Sequence, residues 1–475
     1  MAMFFWFWVC APCAFVFGSG LDLSNWMGQL SHVLGNATLL DLSLPGTHDS
    51  MTYDLSDTLS DGYEGMGPVI SAILHSVTPL AGGRFVRQQG QTQGISVTEM
   101  LDGGIRFIDF RISYTQGPDR VIGGKDWYCL HGCESQKKAI EYLKEVRQWL
   151  DQHPKELVVL WASRHGSTSL CGTDQYPGTT PAERQLFFHQ ATQIFQGLLF
   201  NSSKRLNETT VRTLQEANQR LIWFASDYAE STKSSPLALD AEEIDNQLVN
   251  SGHGIGAANF LKQGAVHLRE SRAKNKFLLV SMAGGSPKDA IADAAKMAFL
   301  PDVLGSHAKW AKDCAESAKI PNMTTCPERL MDWGLLANYY NQRVLDLVYT
   351  ESSAEGNADF PNAIYLDAVD VGGLIRTGTA RINPLQMQQE EADADHATDG
   401  YAYAATLVAA NVRRVCRLLD EGCADLQSTA EAERQKNPLS LWQDPASGRL
   451  LDWPVLAENP NIVIQAFGQK GGATK

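Results

Sequence analysis

The sequence predicts an α/β fold with parallel strands, built as a single domain with long insertions. Apolar runs alternate with segments of helical periodicity along most of the 475 residues. The runs Leu157–Ala162 and Leu221–Ala225 are continuously apolar, as in strands that are buried on both faces. The length suits one elaborated barrel, because such domains can exceed about 400 residues. The pattern alone fits a closed barrel or a doubly wound sheet equally well.

Most of the expected elements lie in the first half of the chain. Thr38–Leu44 is an apolar run that stops at a Pro-Gly pair, as a strand before a turn does. A Ser-x-x-Glu capping box at Ser96 and Glu99 begins a short helix. Glu134–Gln152 repeats apolar residues at helical spacing, which predicts an amphipathic helix. The other elements expected here are the strands Ile105–Ser113, Trp127–Leu130 and Leu157–Ala162 and the helix Pro181–Leu199.

The rest of the chain, from residue 221 onwards, contains fewer expected elements, separated by long segments. The expected strands are Leu221–Ala225, Phe277–Met282, Ala363–Val371 and Ile462–Phe467. Valines at helical spacing predict a late helix over Tyr403–Leu419. Segments 228–275, 283–340 and 372–402 are longer than the connections of a compact barrel. We therefore expect them to be insertions within one domain over residues 21–475.

The first 20 residues resemble a secretory signal peptide. Residues 4–17 are almost wholly apolar, and the first charged side chain is Asp22. This run is shorter than the roughly 20 residues that a membrane-spanning helix needs, and small residues follow it at positions 18–20. We expect residues 1–20 to be cleaved and the protein to be secreted or extracellular, with an uncleaved anchor as the alternative.

Cysteines and glycosylation acceptors fit an oxidising compartment. The pairs Cys314/Cys326 and Cys416/Cys423 are close enough in sequence to close short loops, and two of Cys129, Cys133 and Cys171 are expected to form a third disulfide. Buried free thiols are the alternative for all of them. Asn-x-Ser/Thr acceptors, which predict a glycoprotein, occur at Asn36, Asn201, Asn207 and Asn322.

The charge of the chain disfavours nucleic acid as a partner. Lys and Arg number 40 against 54 Asp and Glu, which gives a net charge of −14. Nucleic-acid-binding domains normally carry a basic excess.

Polar side chains occupy positions where catalytic groups of α/β barrels lie. In the strand that begins at Ile105, alternation puts Asp109 and Arg111 on one face. A buried Asp and Arg are costly unless they form a structural ion pair or have a function. His48 and His131 each follow a strand and lie beside a turn glycine. Such a pair suits a general base and a general acid, because the histidine pKa lies near working pH.

These residues lie in motifs that resemble the X domain of phosphatidylinositol-specific phospholipase C. The motifs are LPGTHDS at residues 44–50, GIRFIDFR at 104–111 and LHG at 130–132. The segment AIYLD at 363–367 is similar to a late strand of that family that ends in an aspartate. The resemblance implies an irregular TIM-type (β/α)8 barrel. It also implies cleavage of an inositol phospholipid at a membrane interface to diacylglycerol and inositol 1,2-cyclic phosphate.

The resemblance further implies a role for each motif residue. His48 would be the general base on the inositol 2-hydroxyl, with Asp367 orienting it, and Asp370 is the alternative for that orienting role. Arg111 would bind the phosphate oxygens. His131 would protonate the departing glyceride oxygen.

Three further residues complete the set that the resemblance implies. Asp49 would support the general acid, and Asp109 would form hydrogen bonds within the cluster. Arg164 matches a basic residue that lies near the inositol in this family.

One position indicates that neither a metal nor another cofactor is required. Calcium-dependent relatives have Glu-x-Asp on this strand, whereas this chain has Asp109-x-Arg111. A guanidinium repels a divalent cation and binds phosphate in its place. The chain therefore resembles the metal-independent, bacterial-type branch, and we expect a monomer. The alternatives are a metal-dependent glycerophosphodiester or sphingomyelin phosphodiesterase on the same barrel and a non-catalytic secreted module that binds a glycan or lipid headgroup.

Overall fold

The structure is a computed structural model, and it describes well under half of the chain. The described residues are 22–60, 83, 87, 90–119, 124–165, 180–201, 203–225, 238–240, 244–248, 276–281, 361–367, 369 and 402–419. Among them, no helix is long and apolar enough to cross a bilayer.

The described part of the chain contains eleven strands and seven α-helices. The strands are β1 Leu44–Thr47, β2 Leu55–Leu59, β3 Phe107–Thr115, β4 Asp126–His131, β5 Cys133–Lys138, β6 Val158–His165, β7 Leu221–Ala225, β8 Leu239–Asp240, β9 Ile244–Leu248, β10 Phe277–Ser281 and β11 Ala363–Leu366. The helices are α1 Trp26–Gln29, α2 Ser31–Leu34, α3 Val97–Asp102, α4 Ala139–Gln152, α5 Pro181–Ile194, α6 Val211–Glu216 and α7 Ala402–Leu419.

Eight of the strands are parallel and lie in the order β9-β10-β11-β1-β3-β6-β7-β8. Only residues 241–243 separate β8 from β9, so the two outer strands are at most about 15 Å apart. In a flat sheet, seven strand spacings would separate them by roughly 34 Å. The sheet must therefore curl round until its outer strands approach each other.

Aromatic side chains fill the inside of this curled sheet. Phe107, Trp161, Phe224, Phe277 and Tyr365 come from five different parallel strands, and their rings contact one another with centres 5.6–6.4 Å apart. Rings from five strands of one sheet meet in this way only if the strands surround them. The fold is thus an irregular TIM-type α/β barrel, which confirms the predicted class.

Strand β1 begins later than the apolar pattern predicts. Residues 39–41 form a 3-10 turn that is capped by Thr38, so the expected strand over 38–44 is wrong. The strand instead runs through the Pro-Gly pair. It does so because Gly46 has no side chain: a Cβ there would lie 3.1 Å from the Cβ atoms of Phe107 and Tyr365. This close approach carries the chain directly to His48.

Other differences fall where the sequence has a weak hydrophobic pattern. The expected helix Glu134–Gln152 starts only at Ala139, because 133–138 form β5, an antiparallel partner of β2 and β4. The segment 228–275, expected as an insertion, contributes β8 and β9 to the barrel. The expected strand Ile462–Phe467 and the segment 283–340 lie outside the described residues, as does 372–402 except for its last residue.

A buried ion pair fastens the N-terminal segment to the barrel at the end opposite the carboxyl ends of the strands. The Arg106 guanidinium lies over the rings of Trp26 and Trp149 and donates to Glu156 from Nε and Nη2, at 2.9 and 2.6 Å. It also donates to four backbone carbonyls, including that of Leu23. The Arg106–Glu156 pair therefore joins the segment around Trp26 to β3 and to the turn before β6.

We expect Glu156→Ala to lower the free energy of unfolding by about 3–5 kcal/mol, because it leaves the Arg106 charge buried without its partner. Denaturant unfolding measures this loss. Glu208→Ala is the control: it removes an exposed ion pair to Arg205, and we expect a change of at most about 1 kcal/mol. Equal losses in the two variants would contradict the account of the buried pair.

Candidate functional site

The carboxyl ends of three adjacent parallel strands bring the predicted site residues together. Strands β11, β1 and β3 are neighbours in that order, and their ends meet at one mouth of the barrel. His48 and Asp49 follow β1, Asp367 follows β11, Asp109 and Arg111 lie in β3, and His131 ends β4, which is paired with β3. Six of the seven predicted residues thus form one cluster.

His48 is held through one ring nitrogen. Its Nδ1 lies 2.6 Å from Asp367 Oδ1, and because a carboxylate only accepts, Nδ1 carries the hydrogen. The Tyr365 ring stacks on the imidazole, with centres 5.1 Å apart and planes 10° from parallel. In neutral His48 the Nε2 atom therefore holds the lone pair that a general base needs.

Asp49 lies between the two histidines. Its φ of 45° is in the left-handed region, which aspartate tolerates better than most residues, and its amide donates to Asp109 Oδ2 at 3.1 Å. Its Oδ2 lies 3.4 Å from His48 Nε2 and 3.4 Å from His131 Nδ1. One carboxylate thus stabilises a proton on either imidazole.

Arg111 joins the two buried carboxylates of the cluster. Its Nε forms an ion pair with Asp49 Oδ1, and its Nη2 lies 2.8 Å from Asp109 Oδ2. Burial lowers the pKa of Arg111, but Asp109 and Asp49 outweigh that effect and raise it, so the guanidinium is charged at every relevant pH. A fixed positive charge therefore lies beside both imidazoles.

His131 is held by a backbone carbonyl. Its Nδ1 donates to the Gly90 oxygen at 2.6 Å, which leaves Nε2 as the ring atom that faces a ligand. Gly132, with φ 79°, makes the tight turn from β4 into β5 that fixes the end of the strand. The ring centres of His48 and His131 are 6.4 Å apart, so both imidazoles can contact one bound group.

The surroundings shift the pKa values of the two histidines in opposite directions. Burial lowers the pKa of His48, but the charges of Asp49 and Asp367 outweigh this and raise it above its usual value. Burial also lowers the pKa of His131; Asp49 opposes this, and Arg111 and His48 add to it, so its pKa lies below the usual value. As the pH falls in the ligand-free protein, His48 takes up a proton before His131.

An NMR titration of the imidazole signals tests this charge distribution without a substrate. We expect a higher pKa for His48 than for His131. Asp367→Asn removes a negative charge from His48, so its pKa falls, while that of His131 moves less. A His131 pKa above that of His48 would contradict the proposed balance of charges.

His48, Asp49 and Asp109 also offer ligand atoms that lie within 4.8 Å of one another, a spacing that suits a metal ion. Arg111 already contacts both of these carboxylates. A divalent cation would have to displace the guanidinium or bind beside its charge. The donor set therefore fits a metal ion poorly while Arg111 is in place.

Two expectations about nearby residues have different outcomes. Arg164 lies in β6 as the register partner of Arg111, which puts its backbone next to the cluster. Cys129 and Cys133 are free, buried thiols. The expected third disulfide is therefore wrong, because any pair among Cys129, Cys133 and Cys171 needs one of these two.

Other predictions concern residues outside the described part of the chain. Asp370, the alternative to Asp367, is among them. The disulfides Cys314/Cys326 and Cys416/Cys423 stay predictions, since at least one cysteine of each pair is not described.

The structure adds contacts that the sequence pattern did not identify. Gly90 and Gln93 form hydrogen bonds with His131 and with the His48 carbonyl, respectively, although they lie in a segment without periodicity. Tyr365 was part of the AIYLD motif, but only its position on the inner face of β11 reveals that it stacks on His48.

Comparison with known proteins gives matches to one family. Residues 83–243 match the family model described as PI-PLC X 1. PI-PLC X domain-containing protein 1 of Mus musculus is 32% identical over 160 residues, which cover 33% of this chain and 43% of that protein. The protein of the same name from Danio rerio is 33% identical over 147 residues, or 31% of this chain and 45% of that protein. The chain thus spans less than half the length of these curated relatives.

Solved structures that align with the chain include bacterial enzymes. A mutant of phosphatidylinositol-specific phospholipase C from Staphylococcus aureus aligns with 13% identity and a TM-score of 0.44, covering 74% of this chain and 94% of that one. The enzyme from Listeria monocytogenes aligns with 17% identity and a TM-score of 0.40, covering 73% and 94%. Similarity at this level supports no conclusion about activity. The matched part of the chain, residues 83–243, is thus similar to the PI-PLC X family, and relatives named for that domain align with about a third of the chain.

Proposed function

We propose that the protein is a metal-independent phosphodiesterase that cleaves an inositol phospholipid by acid-base catalysis. One observation carries the proposal: two imidazoles, each fixed through Nδ1 by an acceptor, and the Arg111 guanidinium all contact one buried carboxylate, that of Asp49. Each imidazole keeps Nε2 for a ligand, and the guanidinium supplies the positive charge that a phosphate needs.

In the proposed reaction, His48 Nε2 takes the proton of the inositol 2-hydroxyl. The resulting oxygen attacks phosphorus, and the bond from phosphorus to the glyceride oxygen breaks. His131 donates its Nε2 proton to that leaving oxygen. The products are diacylglycerol and inositol 1,2-cyclic phosphate, and the net transfer of one proton from His131 to His48 is reversed before the next turnover.

Arg111 stabilises the charge that builds on the phosphate oxygens. Among the described residues, its ion pairs use Nε and Nη2, so Nη1 is the nitrogen we expect to contact a phosphate oxygen. Asp109 and Asp49 hold the guanidinium still, which reduces the reorganisation that the reaction requires. Arg164 remains our candidate for contact with the inositol ring.

The pKa directions in the ligand-free protein favour the proton on His48, whereas the reaction starts with it on His131. A bound phosphodiester is negatively charged, and its leaving oxygen lies next to His131 in the proposed complex. That charge raises the pKa of His131 and favours the productive state. Asp49 contacts both rings and stabilises the proton at either position.

We also propose that the protein is secreted as a monomer and meets its phospholipid at a membrane surface. This rests on the apolar residues 4–17, the glycosylation acceptors and the similarity of residues 83–243 to the PI-PLC X family. Mass spectrometry of the protein from a eukaryotic secretory host would test cleavage after residue 20 and the state of Asn36, Asn201 and Asn207.

A panel of phosphodiesters assayed with and without chelator tests the activity. The panel contains phosphatidylinositol, its phosphorylated forms, glycosylated anchors, lysophospholipids and sphingomyelin. We expect turnover of phosphatidylinositol that is unchanged by chelator. Turnover that chelator abolishes would favour the metal-dependent alternative, for which His48, Asp49 and Asp109 are the ligand candidates. No turnover of any substrate would favour the non-catalytic binding module.

A further inference from the structure

A four-residue segment, Gly90–Gln93, contacts the loops that carry both imidazoles. It precedes α3 and lies between the loop after β1 and the end of β4. None of its residues belongs to the acid-base cluster itself. Its hydrogen bonds reach His48 and His131 and residues close to the cluster in the chain.

The Gln93 side chain joins the His48 loop to the Asp367 loop. Gln93 is fully buried, and its Nε2 donates to the carbonyls of His48, at 2.8 Å, and Leu366, at 2.9 Å. Its Oε1 accepts from the Val369 amide at 3.4 Å. Three hydrogen bonds from one amide thus fix the distance between the chain at His48 and the chain on both sides of Asp367. That distance sets the His48–Asp367 contact.

Thr92 reinforces the same connection. Its Oγ1 lies 3.0 Å from the His48 carbonyl and 2.7 Å from Thr52 Oγ1, and its amide donates to Thr52 Oγ1 at 3.0 Å. The His48 carbonyl therefore lies within hydrogen-bond distance of two neighbouring side chains of the segment. The segment therefore holds the loop after β1 at two places, His48 and Thr52.

Gly90 holds the other imidazole. Its carbonyl accepts the His131 Nδ1 hydrogen, and a Cβ on Gly90 would lie only 2.0 Å from the His131 carbonyl oxygen. The segment and the end of β4 are therefore in direct backbone contact, and no residue larger than glycine fits without displacing one of them.

We propose that residues 90–93 are a positioning element that sets the two imidazoles relative to each other, with Gln93 acting on His48 and Gly90 acting on His131. One short, rigid connection then determines both the His48–Asp367 contact and the direction of His131 Nε2. The kinetic consequence rests on the proposed function, whereas the positioning itself does not. Gln93 is thus a positioning residue that touches no substrate.

Charged and titratable groups face His48 from every neighbouring element, so its titration reports on its position. They are Asp49 from its own loop, Asp109 and Arg111 from β3, Tyr365 and Asp367 from the end of β11, and His131 from β4. Of these contacts, the one to Asp367 depends most directly on Gln93, because that amide joins the two loops. A longer His48–Asp367 distance lowers the pKa of His48.

Gln93→Leu keeps the volume of the side chain and removes its hydrogen bonds. We expect kcat to fall by about 10- to 10²-fold with little change in KM, because misplacement of a catalytic group affects the transition state. We also expect a lower His48 pKa by NMR in the ligand-free variant. Gln93→Asn keeps the amide but shortens the side chain by one carbon. We expect it to lower kcat and the His48 pKa less than Gln93→Leu does. If Gln93→Leu does not fold, the asparagine variant provides the test of the positioning role.

Gln215→Leu is the matched control. Gln215 is also a buried glutamine that donates to a carbonyl, that of Lys155, but it lies before β7 at the other end of the barrel. We expect it to lose stability while kcat and the His48 pKa stay as in the wild type. Gly90→Ala tests the proposed role of Gly90 in positioning His131. We expect the His131 NMR signals to shift and kcat to fall, while the His48 pKa changes less.

The outcomes separate the positioning role from the proposed function. If Gln93→Leu and Gln215→Leu leave kcat and the His48 pKa equally unchanged, the positioning role is overturned. If the wild type turns over no phosphodiester but Gln93→Leu still lowers the His48 pKa, the proposed function fails and the positioning role stands.

Discussion

Replacing Arg111 with alanine is expected to lower turnover of phosphatidylinositol by about 10²- to 10³-fold, the usual cost of losing one donor that stabilises a developing charge. The reason is geometric: the guanidinium pairs with Asp49, whose other carboxylate oxygen lies 3.4 Å from a nitrogen of each imidazole. Steady-state kinetics in chelator measure the loss. The effect should appear mainly in kcat, because the phosphate charge grows in the transition state.

Two further variants make the Arg111 result interpretable. Arg111→Lys keeps a charge for Asp49 and Asp109 but loses the planar fork, so we expect an intermediate rate and better folding than for the alanine variant. Arg147→Ala removes a half-buried arginine on α4 that pairs with Asp151 away from the cluster, and it should leave turnover unchanged. Wild-type turnover by Arg111→Ala in chelator would refute the idea that a guanidinium takes the place of a metal ion.

His48→Ala and His131→Ala are each expected to lower turnover by at least about 10²-fold, because each removes one of the proton-transfer groups. The double variant should be little slower than the slower single variant, since the two groups act in one step. Turnover of the purified variants measures these losses.

His189→Ala is the control for the histidine variants, because His189 is an exposed residue of α5 away from the cluster. It should turn over substrate at the wild-type rate. If either His48→Ala or His131→Ala retained that rate, the assignment of base and acid would fall.

The placement of the site was predictable because its residues lie at the ends of strongly apolar strands. Alternation in β3 put Asp109 and Arg111 on one face, and parallel strands put their carboxyl ends at one mouth. The apolar runs Leu221–Ala225 and Leu157–Ala162 correspond closely to β7 and β6 for the same reason. Strong local patterns thus sufficed for the α/β class and for four candidate residues, His48, Asp109, Arg111 and His131. The barrel, Asp49 and Asp367 were expected only from the family resemblance.

The remaining features depend on contacts between distant parts of the chain. Gln93 contacts Leu366, 273 positions away, and a polar residue in an aperiodic segment gives no local sign of this. Strand β5 is mostly polar and exists because β2 and β4 pair with it. The start of β1 depends on how closely Gly46 approaches two aromatic side chains. Tertiary packing overrides local pattern in each of these cases.

The most direct test of the account follows the phosphorus itself. Phosphorus NMR of phosphatidylinositol vesicles, incubated with the protein in excess chelator, distinguishes a cyclic phosphodiester from an acyclic phosphate. We expect the cyclic product to accumulate first in the wild type and to be strongly reduced in Arg111→Ala. A reaction that requires added calcium or magnesium, or that yields only acyclic product from the start, would contradict the claim that His48, Arg111 and His131 act together on one phosphorus.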